Sequence, residues 1–128
     1  MLRDMGNRTT VEKCYNTGDI TTTYGSAGGI VGLLYSGHTI KECYNIGTIS
    51  AKSNAGGIVG LRQSGNIGND CYYLENNTTV KSGSVTTNGI ESSESDIKNL
   101  INVEMWKEFL VQDKTPNINK GYPIFNWQ

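Results

Sequence analysis

From Val11 onward the chain alternates short runs of apolar and polar residues, and glycines interrupt them at regular intervals. The first run, Val11-Glu-Lys-Cys-Tyr-Asn, ends at Thr17-Gly18 and is followed by Asp19-Ile-Thr-Thr-Thr-Tyr24, rich in β-branched residues; this predicts strand, turn, strand. Alternation places Cys14, Asn16 and Ile20 on one face and Tyr15 on the other. The hexapeptide Ala27-Gly-Gly-Ile-Val-Gly32 comes next, a two-residue apolar run bracketed by glycines, which predicts a sharp corner, a short core strand and a second corner.

All of this then recurs. Ile40-Lys-Glu-Cys-Tyr-Asn-Ile-Gly-Thr-Ile49 repeats Val11 to Ile20, Ala55 to Gly60 repeats the hexapeptide letter for letter, and Leu61-Arg-Gln-Ser-Gly65 repeats Leu33-Leu-Tyr-Ser-Gly37. A third copy starts at Asn69-Asp-Cys-Tyr72 and fades. A period of 28 or 29 residues signals supersecondary units that cannot bury an apolar face alone and must lie against one another. The expected fold is mainly β, a parallel β-solenoid of two to three coils. Within it, the inward Asn16 and Asn45 would bond to one another and to turn backbone, since a buried amide must find partners.

The pattern changes after Leu74. Residues 75–89 are polar, with at most one weak hairpin. Ser93-Glu-Ser-Asp96 reads as a helix start with a capping hydroxyl and early acids, followed by Ile97, Leu100 and Ile101 at helical spacing. Asn102 ends that helix and caps a second one over 103–110, with Met105, Trp106, Phe109 and Leu110 as its apolar face; Pro116 closes off further helix, and Gly121-Tyr-Pro-Ile-Phe-Asn-Trp127 reads as a last strand. The chain therefore divides into 1–10, the remnant of a preceding coil; 11–72, the repeats; and 73–128, a small α/β cap. A cap answers a physical need, because the last coil of a solenoid exposes an unpaired edge, and Trp106 and Trp127 are expected to be buried in it.

Composition changes this picture little. Charged residues make up 18% of the 128 residues and the net charge is −1, which names neither a nucleic acid nor an acidic surface as partner. No apolar run approaches the roughly 20 residues that span a bilayer, and Met1-Leu-Arg-Asp-Met-Gly6 lacks the apolar core of a secretion signal, so any targeting signal would belong to a longer parent chain. Cys14, Cys43 and Cys71 share one repeat position; their number and spacing suit neither a disulfide scaffold nor a zinc site, and three buried, unbridged thiols are expected.

The repeated Cys-Tyr-Asn-x-Gly-x-Ile followed by Gly-Gly-Ile-Val-Gly resembles the GLUG-motif repeat of bacterial cell-surface proteins, which occurs in adhesin-like proteins and beside immunoglobulin-A-specific zinc metallopeptidases. The resemblance covers Val11 to Tyr72, and Gly121-Tyr-Pro-Ile-Phe-Asn-Trp-Gln128 is similar to the segment that often ends such arrays. It implies a secreted or wall-attached context, a β-solenoid fold and no catalytic residues.

Gly32-Leu-Leu-Tyr-Ser-Gly37-His-Thr39 matches a phosphate loop except for His38 in place of lysine, and no helix follows. His38 is the only histidine, which excludes a two-histidine zinc motif, and it is expected to be a solvated turn residue. Calcium would have only Asp19 or Asp70 and turn carbonyls. Asn7, Asn76 and Asn77 begin glycosylation triplets, which carry no weight if the chain has the bacterial origin that the resemblance implies. Tyr15, Tyr44 and Tyr72 recur at one position and form an aromatic row, either purely cross-strand packing or, with the asparagines, a face for a glycan or host protein. No catalytic, cofactor-binding or metal-binding residue is assigned. The expected function is a non-catalytic structural or adhesive repeat module whose partners are other repeats or domains of a longer extracellular protein; the alternatives are a glycan- or host-protein-binding module and an accessory region of a surface metallopeptidase.

Overall fold

The structure, a computed structural model, describes residues 9–35, 37–68, 70–86, 89–114 and 116–128. The protein is mainly β, with its strands gathered in parallel sheets, and two compact units meet in sequence between Glu91 and Ser92. The expected coil remnant at 1–10 lies largely outside the described residues.

In the first unit each repeat contributes four short strands. The first set is β1 (Thr10–Asn16), β2 (Ile20–Thr21), β3 (Ser26–Gly28) and β4 (Val31–Leu34); the second is β5 (Thr39–Asn45), β6 (Ile49–Ala51), β7 (Asn54–Gly56) and β8 (Val59–Arg62). After them come β9 (Asn66–Ile67), β10 (Tyr72–Leu74), β11 (Thr78–Val80), β12 (Ser84–Thr86) and β13 (Ile90–Ser92). Equivalent strands lie side by side: β1-β5-β10-β13 with β9 also on β5, then β2-β6-β11, β3-β7-β12 and β4-β8. Thr10 lies beside Thr39, Cys14 beside Cys43, Ile20 beside Ile49, Ala27 beside Ala55 and Val31 beside Val59, all in parallel register. The polar stretch after Leu74, read from sequence as holding at most one weak hairpin, forms two further parallel strands, Thr78–Val80 on β6 and Ser84–Thr86 on β7. Their side chains carry little repeat signal, because what β11 and β12 supply to the ladder is backbone N–H and C=O, which every residue here has.

Regular alternation holds on β6 and fails on β5. Ile49 and Ala51 point inward with Ser50 between them, joining Ala27 and Ala55 in one cluster that Ile20 and Val80 flank. On β5, Ile40 and Cys43 enter the same core cluster although they are three residues apart, and Tyr44 and Asn45 are buried as well. The reason is backbone: Glu42 has φ 52° and its repeat partner Lys13 φ 55°, left-handed conformations that turn the strand and reset which face each side chain meets.

The paired glycines of each hexapeptide are needed for space, whereas Gly32 has room for a methyl group, its nearest neighbour being Ser26 O at 3.7 Å. Among the described glycines positive φ occurs at Gly25, Gly37, Gly65, Gly89 and Gly121 and not at Gly28, Gly29, Gly56 or Gly57, so these four answer a close approach and not a left-handed turn. A methyl group on Gly29 would meet the Gly57 carbonyl oxygen and, at 2.5 Å, the side-chain amide of Asn45. On Gly57 it would strike the ring of Tyr73, whose Cβ is 2.6 Å from the methyl position. Asn45 and Tyr73 are register partners, so each glycine is the floor on which the equivalent residue of the Cys-Tyr-x segment is seated.

The second unit begins with α1 (Glu94–Lys98), whose cap is the expected one: Ser93 Oγ accepts from the Asp96 N–H at 3.2 Å, and Lys98 pairs with Glu94 at 2.7 Å. A 3₁₀ turn over Asn99–Asn102 follows, and the helix expected over 103–110 is absent. In its place are separate turns, closed by Lys107 N–H to Val103 O and Leu110 N–H to Trp106 O at 2.9 Å each. These suffice to bury Trp106, Phe109 and Leu110, while Met105 is exposed. Pro116, read from sequence as a helix terminator, opens the short helix α2 (Pro116–Asn119), a position where its fixed φ is compatible and its missing N–H costs nothing. Asp113 accepts from the N–H groups of Asn119 (2.9 Å) and Gly121 (3.2 Å), and Asn119 Nδ2 donates to Pro123 O at 2.9 Å. That network delivers β15 (Ile124–Phe125) antiparallel to β14 (Leu110–Val111).

The expectation that both tryptophans are buried is half corrected. Trp106 is fully buried, but Trp127 is 66% exposed and stacks one face on Phe125 at 4.5 Å, because it lies just beyond the two-residue strand that packs inward. Trp106→Ala should therefore cost about 3–5 kcal/mol by denaturant titration, and Trp127→Ala below about 1 kcal/mol. Gly29→Ala should destabilise by roughly 1–3 kcal/mol through the clash with backbone and Asn45, read as a lower denaturation midpoint at unchanged slope.

Candidate functional site

Three rows of equivalent residues cross the β1-β5-β10 sheet, and each was a candidate from sequence. The asparagine row is internal and satisfied. Asn16 Nδ2 donates to Asn45 Oδ1 at 2.8 Å and to Gly18 O at 2.7 Å, while Gly18 N–H donates to Asn16 Oδ1 at 3.2 Å. Asn45 repeats the motif around Gly47, donating to its carbonyl at 3.1 Å and accepting from its N–H at 2.9 Å. Each asparagine thus closes its own turn and bonds the neighbouring repeat, as its spacing before a glycine anticipates. Asn45 is 0% exposed, so this row has no amide to offer a ligand at its centre.

The tyrosine row packs in the same way. Tyr15 and Tyr44 stack with centroids 5.0 Å apart and planes 11° from parallel, and Tyr72 lies in register with Tyr44. Tyr44 is fully buried and Tyr15 and Tyr72 half-buried, so the row is packing first. Burial, with Asp70 second, pushes the Tyr72 phenol above its ordinary value.

The cysteine row departs from expectation at one end. All three thiols are free, Cys43 and Cys71 are buried, but Cys14 is exposed. Cys14 belongs to β1, the terminal strand of the described sheet, so only one repeat lies against it. Cys43 donates to Lys41 O at 3.1 Å, and its pKa is pushed far up, first by hydrogen bonding to Cys71 and second by burial.

His38, expected to be solvated, is 1% exposed. The turn of the following repeat covers it: Asn66 N–H donates to His38 O at 3.0 Å, and Gln63 N–H to Leu34 O at 2.9 Å. Among the described residues around it there are strand and turn and no helix N-terminus for a phosphate; Ser36 of that loop lies outside the described residues. Asp19 accepts from Thr48 N–H at 2.9 Å, while Asp70 Oδ1 is buried and makes no hydrogen bond with described residues. Among the described residues no three His, Cys, Asp or Glu side chains gather as a metal site. Of the glycosylation triplets, Asn7 lies outside the described residues; Asn77 donates to Ile46 O at 2.8 Å and Asn76 takes a left-handed turn at φ 61°.

Sequence reading missed a concave feature among the described residues of the first unit. A cleft of about 310 Å³ opens on the β2-β6-β11 sheet, lined by Thr21, Thr22, Thr23, Ser50, Ala51, Lys52 and Lys81. Ser50 sits between Thr21 and Thr79 in register, a row of hydroxyls facing out while Ile20, Ile49 and Thr78 form the neighbouring row. The signal was present as a hydroxyl residue after the first strand position of each copy (Thr21, Ser50, Thr79) and a lysine two residues further on in the second and third copies only, but nothing in one copy says what its neighbour places beside it.

Comparison of the chain with family models, with curated proteins and with solved structures finds no match.

The thiol environments are directly measurable. A chromogenic disulfide reagent should titrate three thiols in the denatured chain and only Cys14 rapidly in the folded one; fast native reaction persisting in Cys14→Ser would contradict this arrangement.

Proposed function

We propose that this chain is a non-catalytic repeat module of an exported bacterial surface protein, its repeats winding as a parallel β-solenoid, and that its role is to project or position other repeats and domains of a longer chain. The observation that carries this reading is the register. Four successive strand types each pair with their own equivalents at offsets near the sequence period, as in Val11 beside Ile40, Ala27 beside Ala55 and Leu33 beside Leu61. A side-by-side array of equivalent strands extends by adding copies, and its stability grows with neighbour contacts, which is what a spacer or adhesive stalk requires. The resemblance of the Cys-Tyr-Asn and Gly-Gly-Ile-Val-Gly segments to GLUG repeats supports the same reading and supplies the surface context. Among the described residues no helix is long and apolar enough to cross a membrane.

The test is an insertion. A duplicate of residues 33–60, one full 28-residue period by the Leu33 to Leu61 register, is placed in tandem after Gly60. The longer chain should remain monomeric and cooperative, melt at a higher temperature, and lengthen in solution scattering by about one strand spacing, 4.8 Å. A duplicate of half a period should unfold it. If the full-period insertion is the disruptive one, the strands close on themselves and the open-array reading is wrong.

A further inference from the structure

The cleft on the β2-β6-β11 sheet has a composition unlike the rest of this nearly neutral chain. Its lining residues are three threonines (Thr21, Thr22, Thr23), Ser50, Ala51 and two lysines (Lys52, Lys81), with no Asp or Glu among them. Neither lysine makes an ion pair among the described residues, whereas Lys41, Lys98 and Lys107 each have a carboxylate within 4 Å. The two cations come from adjacent strands: Lys81 N–H donates to Ala51 O at 3.0 Å, so Lys52 and Lys81 follow the paired Ala51 and Val80 by one residue each. Neighbouring parallel strands lie about 4.8 Å apart, so the two lysines leave adjacent strands at the same cleft and favour an anionic occupant.

The hydroxyls divide into used and unused. Thr22 Oγ1 donates to Tyr24 O at 2.5 Å and accepts from Tyr24 N–H at 3.2 Å, a local turn that Gly25 completes at φ 62°. Thr21, Thr23 and Ser50 make no side-chain hydrogen bond with the described residues and stand open to a ligand. The turn that Thr22 closes holds Tyr24 beside the cleft, 78% exposed, with Lys52 Nζ 5.6 Å from its ring centroid. Hydroxyl residues and two lysines lining one cleft, with an exposed ring next to it in sequence and within reach of Lys52, match three features of a single ligand class: a sugar's hydroxyls, its carboxylate or sulfate substituents and the apolar face of its ring.

We propose that the cleft formed by Thr21, Ser50, Lys52 and Lys81 beside Tyr24 binds an acidic oligosaccharide, one whose successive sugars carry carboxylates or sulfates. The volume, about 310 Å³, is at the small end of ligand sites and suits a short stretch of such a chain lying across the strands. A bare phosphate would leave the ring and hydroxyls unused, and a nucleic acid strand would call for more cations than two. The inference goes beyond the module reading and does not depend on it.

The experiment titrates the intact chain with a heparin-derived tetrasaccharide and with tri-galacturonate, followed by calorimetry and by amide shifts. The expected result is saturable one-to-one binding, shifts centred on Thr21, Ser50, Lys52 and Lys81, and affinity that falls with added salt. Lys52→Gln with Lys81→Gln should weaken binding at least about tenfold at an unchanged melting temperature, since both side chains are on the surface. Tyr24→Ala should weaken it severalfold, including for the uronate. The proposal is overturned by absence of binding, by affinity unchanged in the double lysine variant, by inorganic sulfate competing as strongly as the tetrasaccharide, or by single-stranded DNA or phosphatidylserine vesicles binding as tightly through the same lysines. The insertion of a repeat is read by folding and length alone, so either idea can fail without the other.

Discussion

The seat of Asn45 on Gly29 is the contact that the repeated part of the structure depends on. The amide occupies the space a side chain at Gly29 would take, closes the turn at Gly47, and accepts the hydrogen bond of Asn16 from the neighbouring repeat. One side chain therefore links three things: a turn within a repeat, the pairing of two repeats, and the fit of the Cys-Tyr-Asn segment against the glycine hexapeptide. A polar group at the centre of a core is destabilising unless every one of its bonds is made, and here the equivalence of the repeats supplies the partners. This explains why the two motifs recur together, since each is the other's packing surface. In the third copy Tyr73 takes the place of asparagine over Gly57, keeping the seat while giving up the amide bonds.

Repeats of unequal length can still pair because the differences are absorbed in turns. The offset is 29 residues at Thr10 and Thr39, 28 at Ala27 and Ala55, 27 at Thr39 and Asn66 and 30 at Ala55 and Val85. Strand register is restored after each change because a one-residue slip would send every core side chain to the other face. Left-handed residues at Lys13 and Glu42 serve the same end, turning a seven-residue strand so that Ile40 and Cys43 reach one core despite their odd spacing. Such a conformation is mildly unfavourable for a lysine or glutamate, and its presence at the same place in both copies marks it as part of the repeat geometry.

The second unit achieves its core by different means. Trp106, Phe109 and Phe125 form a chain of ring contacts at 5.2 and 6.1 Å, assembled from single turns and a two-stranded ribbon. The buried Asp113 and Asn119 organise the connecting segment through bonds to its backbone. The helix expected over 103–110 did not form although its apolar spacing was right, because burying Trp106, Phe109 and Leu110 needs only the two turns that carry them. Hydrophobic periodicity specifies which side chains go inward, and the backbone that takes them there is chosen by packing.

The sequence by itself determined the mainly β class, the repeat unit, the inward asparagines, the Ser93 cap and the burial of Trp106. Each of these rests on local chemistry: turn glycines, alternation within a strand, a capping hydroxyl, a period that can be counted. The tertiary structure alone decided that Cys14 is exposed while Cys43 is not, that His38 lies under the next turn, that residues 78–86 extend the parallel ladders, and that Lys52 and Lys81 face one cleft. All four depend on what lies beside a residue across the sheet, a neighbour some 28 residues away in the chain. A side chain's environment in such an array is set half by its own repeat and half by the adjacent one, and only the first half is written locally. The Trp127 indole makes the same point in the second unit: its apolarity predicted burial, and its position just past Phe125 left one face in solvent.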